Sequence, residues 1–127
     1  MLLVCRFTVP QERVAEFVEQ AGRALDLLQA QPGCVHGTLG RSTDDDDRFV
    51  LSVLFESVTA YRRSMSPFPV RELVVPLLSQ ADNDGPSAFE VLVEADREGG
   101  VRRHASLVAA DAGTVRVGDA AGPSRSR

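Results

Sequence analysis

Tryptophan and lysine are absent from this chain, and it has only two cysteines, two histidines and one tyrosine. Each shortage removes a class of chemistry. Without lysine there is no Walker-type phosphate loop, no Schiff-base amine and no Ser-Lys dyad, since all 14 basic residues are arginine. Cys5 and Cys34 cannot build a disulfide framework, and no further Cys or His stands at zinc-site spacing, so two buried reduced thiols are expected. No run approaches the roughly 20 apolar residues of a membrane-spanning helix. The apolar opening Met1-Leu2-Leu3-Val4-Cys5 stops at Arg6 without a cationic lead or a cleavage-like site. The expectation is a cytoplasmic protein with no membrane partner. Net charge is −4, from 18 acidic and 14 basic residues without a basic patch, which argues against a nucleic-acid partner. Gly-x-Ser-x-Gly is missing, and Gly33, Gly37 and Gly40 lack the strand-to-helix setting of a dinucleotide site, so hydrolase and dehydrogenase readings are weak.

What remains is an ordinary globular composition, 43% hydrophobic and 25% charged over 127 residues, enough for one core. Leu2 to Val9 reads as a strand stopped by Pro10. The spacing of Val14, Phe17, Val18, Ala21, Leu25 and Leu28 then predicts an amphipathic helix ended by Pro32-Gly33. Cys34 to Ser42 and Arg48 to Glu56 read as two strands joined by a hairpin through Thr43 and the aspartates 44–47. Those aspartates lack the alternating ligands and distal bidentate acid of a calcium loop and read as a solvated turn. Ser57 is placed to cap a short helix over Val58 to Met65. A second apolar stripe follows at Val70, Leu73, Val74, Leu77, Leu78 and Ala81, with Pro76 expected to kink or restart it. Ala88 to Ala95 reads as a fourth strand, and periodic signal fades into an Ala, Gly, Asp, Arg and Ser-rich tail. Residues 1–95 are thus expected to form one domain and 96–127 a tail, disordered or a weak hairpin around Asp111-Ala112-Gly113.

The order β-α-β-β-α-β predicts an α+β, ferredoxin-like sandwich, with one antiparallel sheet and both helices on one face. In the third strand Phe49, Leu51, Val53 and Phe55 point one way, while Val50 and Leu54 with small Ser52 point the other; the first strand repeats this. Helices cover one face only, so the second apolar face predicts a homodimer, with the chain's own tail as the alternative cover.

The run Gln31-Pro32-Gly33-Cys34, Arg48-Phe49-Val50-Leu51, Phe55-Glu56-Ser57, Ala60-Tyr61-Arg62-Arg63 and Ser66-Pro67-Phe68 resembles the antibiotic biosynthesis monooxygenase (ABM) family over roughly residues 1–95. The resemblance implies a dimeric α+β barrel made by pairing two ferredoxin-like sheets. It also implies a cofactor-independent monooxygenase that acts on a small apolar, phenolic or polyketide-like ligand. Phe55 stands where many relatives carry Trp, and neither histidine falls on the helices that bear the haem ligand of haem-degrading relatives. Haem chemistry is therefore not expected, nor any other cofactor.

Among the residues themselves, His36 is expected to share a strand face with Cys34 and Thr38 and to serve as a general base; its bland reading is a structurally bonded or exposed histidine. Cys34-x-His36 lacks a third ligand, so no metal is expected. Tyr61 should face the sheet, either orienting a ligand through its hydroxyl or simply packing in the core. Ser52, Phe55, Arg62 and Phe68 are the expected ligand-lining residues, although Arg62 and Arg63 equally suit a solvated helix end. Arg6 and Glu56 read as an ion pair between strands or across a dimer. Two functions from different classes follow. One is the oxygenase just described, with His36 as base and Tyr61 or an arginine as orienting group. The other is a non-catalytic dimeric ligand-binding or accessory module of the same fold.

Overall fold

The computed structural model describes residues 1–105, and the chain divides after Phe89 into two units. In the first unit β1 (Leu2–Thr8), β2 (Cys34–Arg41), β3 (Arg48–Phe55) and β4 (Ala88–Phe89) form one antiparallel sheet in the order β2-β3-β1-β4. Three helices, α1 (Val14–Gln29), α2 (Val58–Ser64) and α3 (Phe68–Leu78), close a single core against it. This is the α+β, ferredoxin-like arrangement that the element order predicts.

Period-two alternation sets the core face. Phe49, Leu51, Val53 and Phe55 of β3 are all at most 5% exposed, and the first three face Phe7, Cys5 and Leu3 across the ladder. Phe17 of α1 joins the two strands, its ring centroid 5.0 Å from that of Phe7 and 5.3 Å from that of Phe49.

The first helix buries the expected stripe with one exchange, Ala24 in and Val18 out. Phe17, Ala21, Ala24 and Leu28 are buried, whereas Val18 is 45% exposed and Leu25 half-buried. α1 lies close to β2: a Cβ on Gly37 would stand 2.7 Å from Leu25 Cδ2.

Gly33 follows α1 with φ +88°, and a Cβ on it would come within 2.6 Å of Ala60 Cβ, so the turn presses directly on α2. Ser57 caps α2 as expected, its Oγ accepting the Ala60 N–H at 3.0 Å. Pro76 does not restart the helix: α3 runs from Phe68 to Leu78 with Pro76 inside it. Pro76 falls in the last turn, and the carbonyl it leaves without an i+4 donor belongs to exposed Glu72.

The expected fourth strand over Ala88–Ala95 is also corrected. Only Ala88 and Phe89 pair with β1. From Glu90 the chain enters the second unit, where β5 (Val93–Asp96) pairs with β6 (Gly100–Arg103) in its own two-stranded sheet. Cross-strand charge pairing accounts for this hairpin: Arg102 bonds both Asp96 at 3.0 Å and Glu94 at 3.2 Å, and Glu94 also meets His104 at 3.1 Å. Gly100, at φ +70°, takes the left-handed position that closes the turn. The expected tail hairpin around Asp111-Ala112-Gly113 lies outside the described residues.

No helix among the described residues is long and apolar enough to cross a membrane.

Candidate functional site

The residues expected to carry chemistry fall on two sides of the sheet, and a single irregularity divides them. Cys34 pairs with Phe55 but His36 pairs with Leu54, so Val35 is an extra residue in β2, a β-bulge. Without it Cys34 and His36 would share a face, as the alternation predicts. With it Cys34 joins the helix-side core, while His36 turns to the other face beside Thr38, which stands opposite Ser52. This overturns the expected Cys34-His36-Thr38 face, and the Cys34-x-His36 pair with it.

That second face of the sheet is apolar with a few polar groups. Leu2, Val4, Ser52 and Leu54 are half-buried, and Val50 is 36% exposed. His36 and Thr38 are exposed. None of these side chains belongs to the helix-side core. His36 is thus a base-capable imidazole on an apolar floor, with the Ser52 and Thr38 hydroxyls in the adjacent cross-strand pair.

Tyr61 lies on the other side. Its ring sits edge-on to Phe55 with centroids 5.4 Å apart, packed against the core as the helical spacing predicts. Its hydroxyl makes no hydrogen bond to the described residues, which leaves it available to water or a ligand. Phe55 is 1% exposed and is a core residue, so it lines no open surface. Leu28, Leu51, Val53, Phe55, Val70 and Val74 fill the middle of the layer between sheet and helices. Arg62 and Arg63 are exposed at the end of α2, and Phe68 is 63% exposed where α3 begins. The structure therefore brings Tyr61 and Phe55 together and brings His36 near Ser52, but does not bring the two groups together within one chain.

The thiols are poor nucleophiles. Burial pushes Cys5 up from its ordinary range, partly offset by the nearby Arg6 charge, and burial also raises Cys34 against a hydrogen bond from the His36 backbone. Cys34 is half-buried, not fully buried as expected. The aspartates 44–47 form the β2–β3 turn. The Ser42 hydroxyl accepts the Asp44 and Asp45 N–H groups, both at 3.1 Å, and Arg41 Nε donates to the Asp46 carbonyl at 2.8 Å. Among the described residues no group of three or more His, Cys, Asp or Glu is arranged to hold a metal ion.

Sequence reasoning missed one feature. Within one chain Arg6 does not pair with Glu56; its cross-strand partner is Val50. It lines a groove of about 270 Å³ with Phe7, Gly40, Val50 and the loop residues Asp82 and Asp84. The signal that could have found it is that Arg6 is the one charge on the open side of β1.

Comparison with known proteins agrees with this architecture. The profile of the family described as Antibiotic biosynthesis monooxygenase matches residues 1–67. No curated protein matches the chain. Among solved structures, SnoaB from Streptomyces nogalater, described as a cofactor-independent oxygenase, is 28% identical. That match covers 72% of this chain and 94% of SnoaB with a TM-score of 0.57. A second structure, described as an antibiotic biosynthesis monooxygenase, is 15% identical over 72% of this chain and 99% of its own, with a TM-score of 0.58. A conserved protein from Methanosarcina mazei Go1 is 16% identical over 68% of this chain and 84% of its own, with a TM-score of 0.56. The last two speak to the fold alone. A ferredoxin-like sheet with helices on one face, the ordered motifs from Pro32 to Phe68 and a profile match over more than half its length together mean that this chain belongs to the antibiotic biosynthesis monooxygenase family.

Proposed function

We propose that the protein is a homodimeric, cofactor-independent monooxygenase of small apolar or phenolic molecules, resident in the cytoplasm. The observation that carries this reading is the 28% identity to the cofactor-independent oxygenase SnoaB over 94% of that chain. The apolar face bearing His36, Ser52, Leu54 and Val4 supports the dimer: packing it on a second copy removes from water a surface that helices leave bare. Two free thiols suit a reducing compartment.

In such a reaction the substrate supplies its own electrons. An acidic CH₂ beside a phenolic ring loses a proton to a base, and the carbanion passes an electron to O₂. The carbon and oxygen then join as a hydroperoxide, which loses water to leave a ketone. One oxygen atom ends on carbon and the other in water, and the hydrogens balance. The protein contributes a base, anion stabilisation and exclusion of water. In this reading His36 takes the proton, and the Ser52 hydroxyl, in the neighbouring cross-strand pair, donates to the enolate.

The test is oxygen uptake with a panel of anthrone-like and naphthol-like phenols. Saturable uptake that falls sharply in His36→Ala supports the proposal. Uptake that is flat with every phenol and unchanged by the substitution rejects it. A second reading, a non-catalytic ligand-binding or accessory module, draws support from the separation of His36 and Tyr61 by the sheet. Saturable ligand binding without oxygen uptake would favour it.

A further inference from the structure

We propose that the outward face of α3, from Phe68 to Val75 with the arginines beside it, is a docking surface for an acidic amphipathic helix of a partner protein. Such a surface is separate from the oxygen chemistry and from the open sheet face, because it lies on the outer side of the helix layer.

Helical spacing builds the face. Val70, Val74 and Leu77 turn into the core, so the opposite side of α3 presents Phe68 and Val75, two turns apart on one line about 10 Å long. Both are bare, Phe68 at 63% and Val75 at 42% exposure. A phenyl ring that open gains most from contact with a second apolar surface. Positive charge flanks the line. Arg71 lies one turn from both apolar residues, and Arg62 and Arg63 end α2 just before it. A short turn joins the two helices, with the Ser66 N–H donating to the Arg63 carbonyl at 3.2 Å and the Arg71 N–H to the Pro67 carbonyl at 3.0 Å. Between residues 57 and 81 these three arginines stand against one acid, Glu72, in a chain whose net charge is −4. None of the three has an acid three or four positions away along its helix, and none makes a side-chain hydrogen bond or ion pair to a described residue.

Charge and spacing together select the partner. Two apolar side chains on one helical line are matched by the apolar stripe of a second helix. Guanidiniums with five donors and no acceptor facing them match carboxylates that flank such a stripe. Glu72, one turn from Phe68, keeps the face from being uniformly positive. An anionic bilayer, which presents negative charge evenly, therefore meets it less well than discrete carboxylates spaced along a helix. In a chain of net negative charge, a local excess of arginine also orients the approach of an acidic partner.

Fluorescence anisotropy of the full chain with a labelled model helix of repeated Leu-Ala-Glu-Glu-Leu-Glu-Ala heptads tests the surface, beside counterparts that carry Gln for Glu or Ala for Leu. The acidic helix is expected to bind saturably, and each counterpart at least about tenfold more weakly. Phe68→Ser should weaken binding by about tenfold, and Arg62→Gln, Arg63→Gln and Arg71→Gln together by about as much. The triple variant should also flatten the dependence of affinity on salt. All four positions are exposed, and circular dichroism checks that the variants fold. Equal affinity for the acidic and Gln helices, affinity that survives Phe68→Ser or the triple arginine variant, or no saturable binding at millimolar concentration would overturn the proposal. Sedimentation of the protein with phosphatidylglycerol vesicles that is lost in Phe68→Ser would overturn it too, by making the face a membrane contact. Oxygen uptake plays no part in the readout, so failure here and failure of the oxygenase reading are separately visible.

Discussion

His36 and Tyr61 stand on opposite faces of one sheet, His36 beside its cross-strand partner Leu54 and Tyr61 edge-on to Phe55, the next residue of the same strand. Within one chain they cannot grip the same small molecule, and neighbours along β3 that point in opposite directions share no contact. Their substitutions should therefore act independently. His36→Ala is expected to lower the rate of oxygen uptake by about 100-fold, the low end for losing a general base. Tyr61→Phe should leave both rate and melting temperature nearly unchanged, since its hydroxyl has no protein partner among the described residues. The double variant should show the product of the single losses; a markedly smaller combined loss would mean that the two side chains work on one ligand.

The open face makes its own prediction about assembly. Leu54→Asp puts a charge in the middle of the surface proposed to pair with a second copy, and each dimer carries the change twice. Sedimentation equilibrium should show wild-type protein at twice 13.7 kDa and the variant shifted toward the monomer, with association weakened by at least about 100-fold. A wild-type monomer at micromolar concentration would remove the dimer from the proposal.

Gly33 should tolerate no side chain. Its φ of +88° strains any L-residue, and the Cβ would meet Ala60 Cβ at 2.6 Å with backbone behind it. Gly33→Ala is expected to destabilise the first unit by about 2 kcal/mol, read as a lower denaturation midpoint in urea. Gly22→Ala, mid-helix with nothing within 4 Å, should instead raise the midpoint slightly.

Acid should loosen the β5–β6 hairpin before it affects the main sheet. Slight burial pushes Glu94 up, but the hydrogen bonds from His104 and Arg102 outweigh it and the net shift is down from 4.5. The Gly99 N–H and the Arg102 guanidinium hold Asp96 below 3.8. Lowered folded-state values mean that these carboxylates stabilise the hairpin above their ordinary values, and that this contribution disappears as pH falls through the lower folded ones. Amide protection factors at Val101 and Arg103, relative to the unstructured rate at the same pH, should fall on acidification below about pH 4, while those of Leu51 and Val53 stay high. Arg102→Gln should bring the loss of protection on at higher pH.

The parts of the fold readable in advance are those where one local rule dominates. Four alternating large residues in β3 fix which side faces the core, whatever lies on it. Ser57 three residues before Ala60 is a cap wherever a helix begins. Helix α1 was readable as a helix and, through Phe17, Ala21 and Leu28, on most of its buried face; that Ala24 is buried while Val18 is exposed was not. The end of the sheet was hidden too. Ala88–Ala95 alternates well enough for a strand, yet Glu94 and Asp96 find their charge partners on Arg102 and His104, and that pairing is made by residues the strand pattern does not contain.

Composition and periodicity alone determined a small α+β domain without lysine chemistry, a sheet with two apolar faces, and the residues from which any site must be drawn. Tertiary structure decided which of those residues meet. One inserted residue at Val35 rotates His36 away from Cys34 and onto the open face, because a β-bulge changes the parity of a strand without changing its composition. The Arg6 groove likewise exists only because β1, β2, β3 and the loop after α3 converge in space, a relation between distant segments that no local pattern encodes.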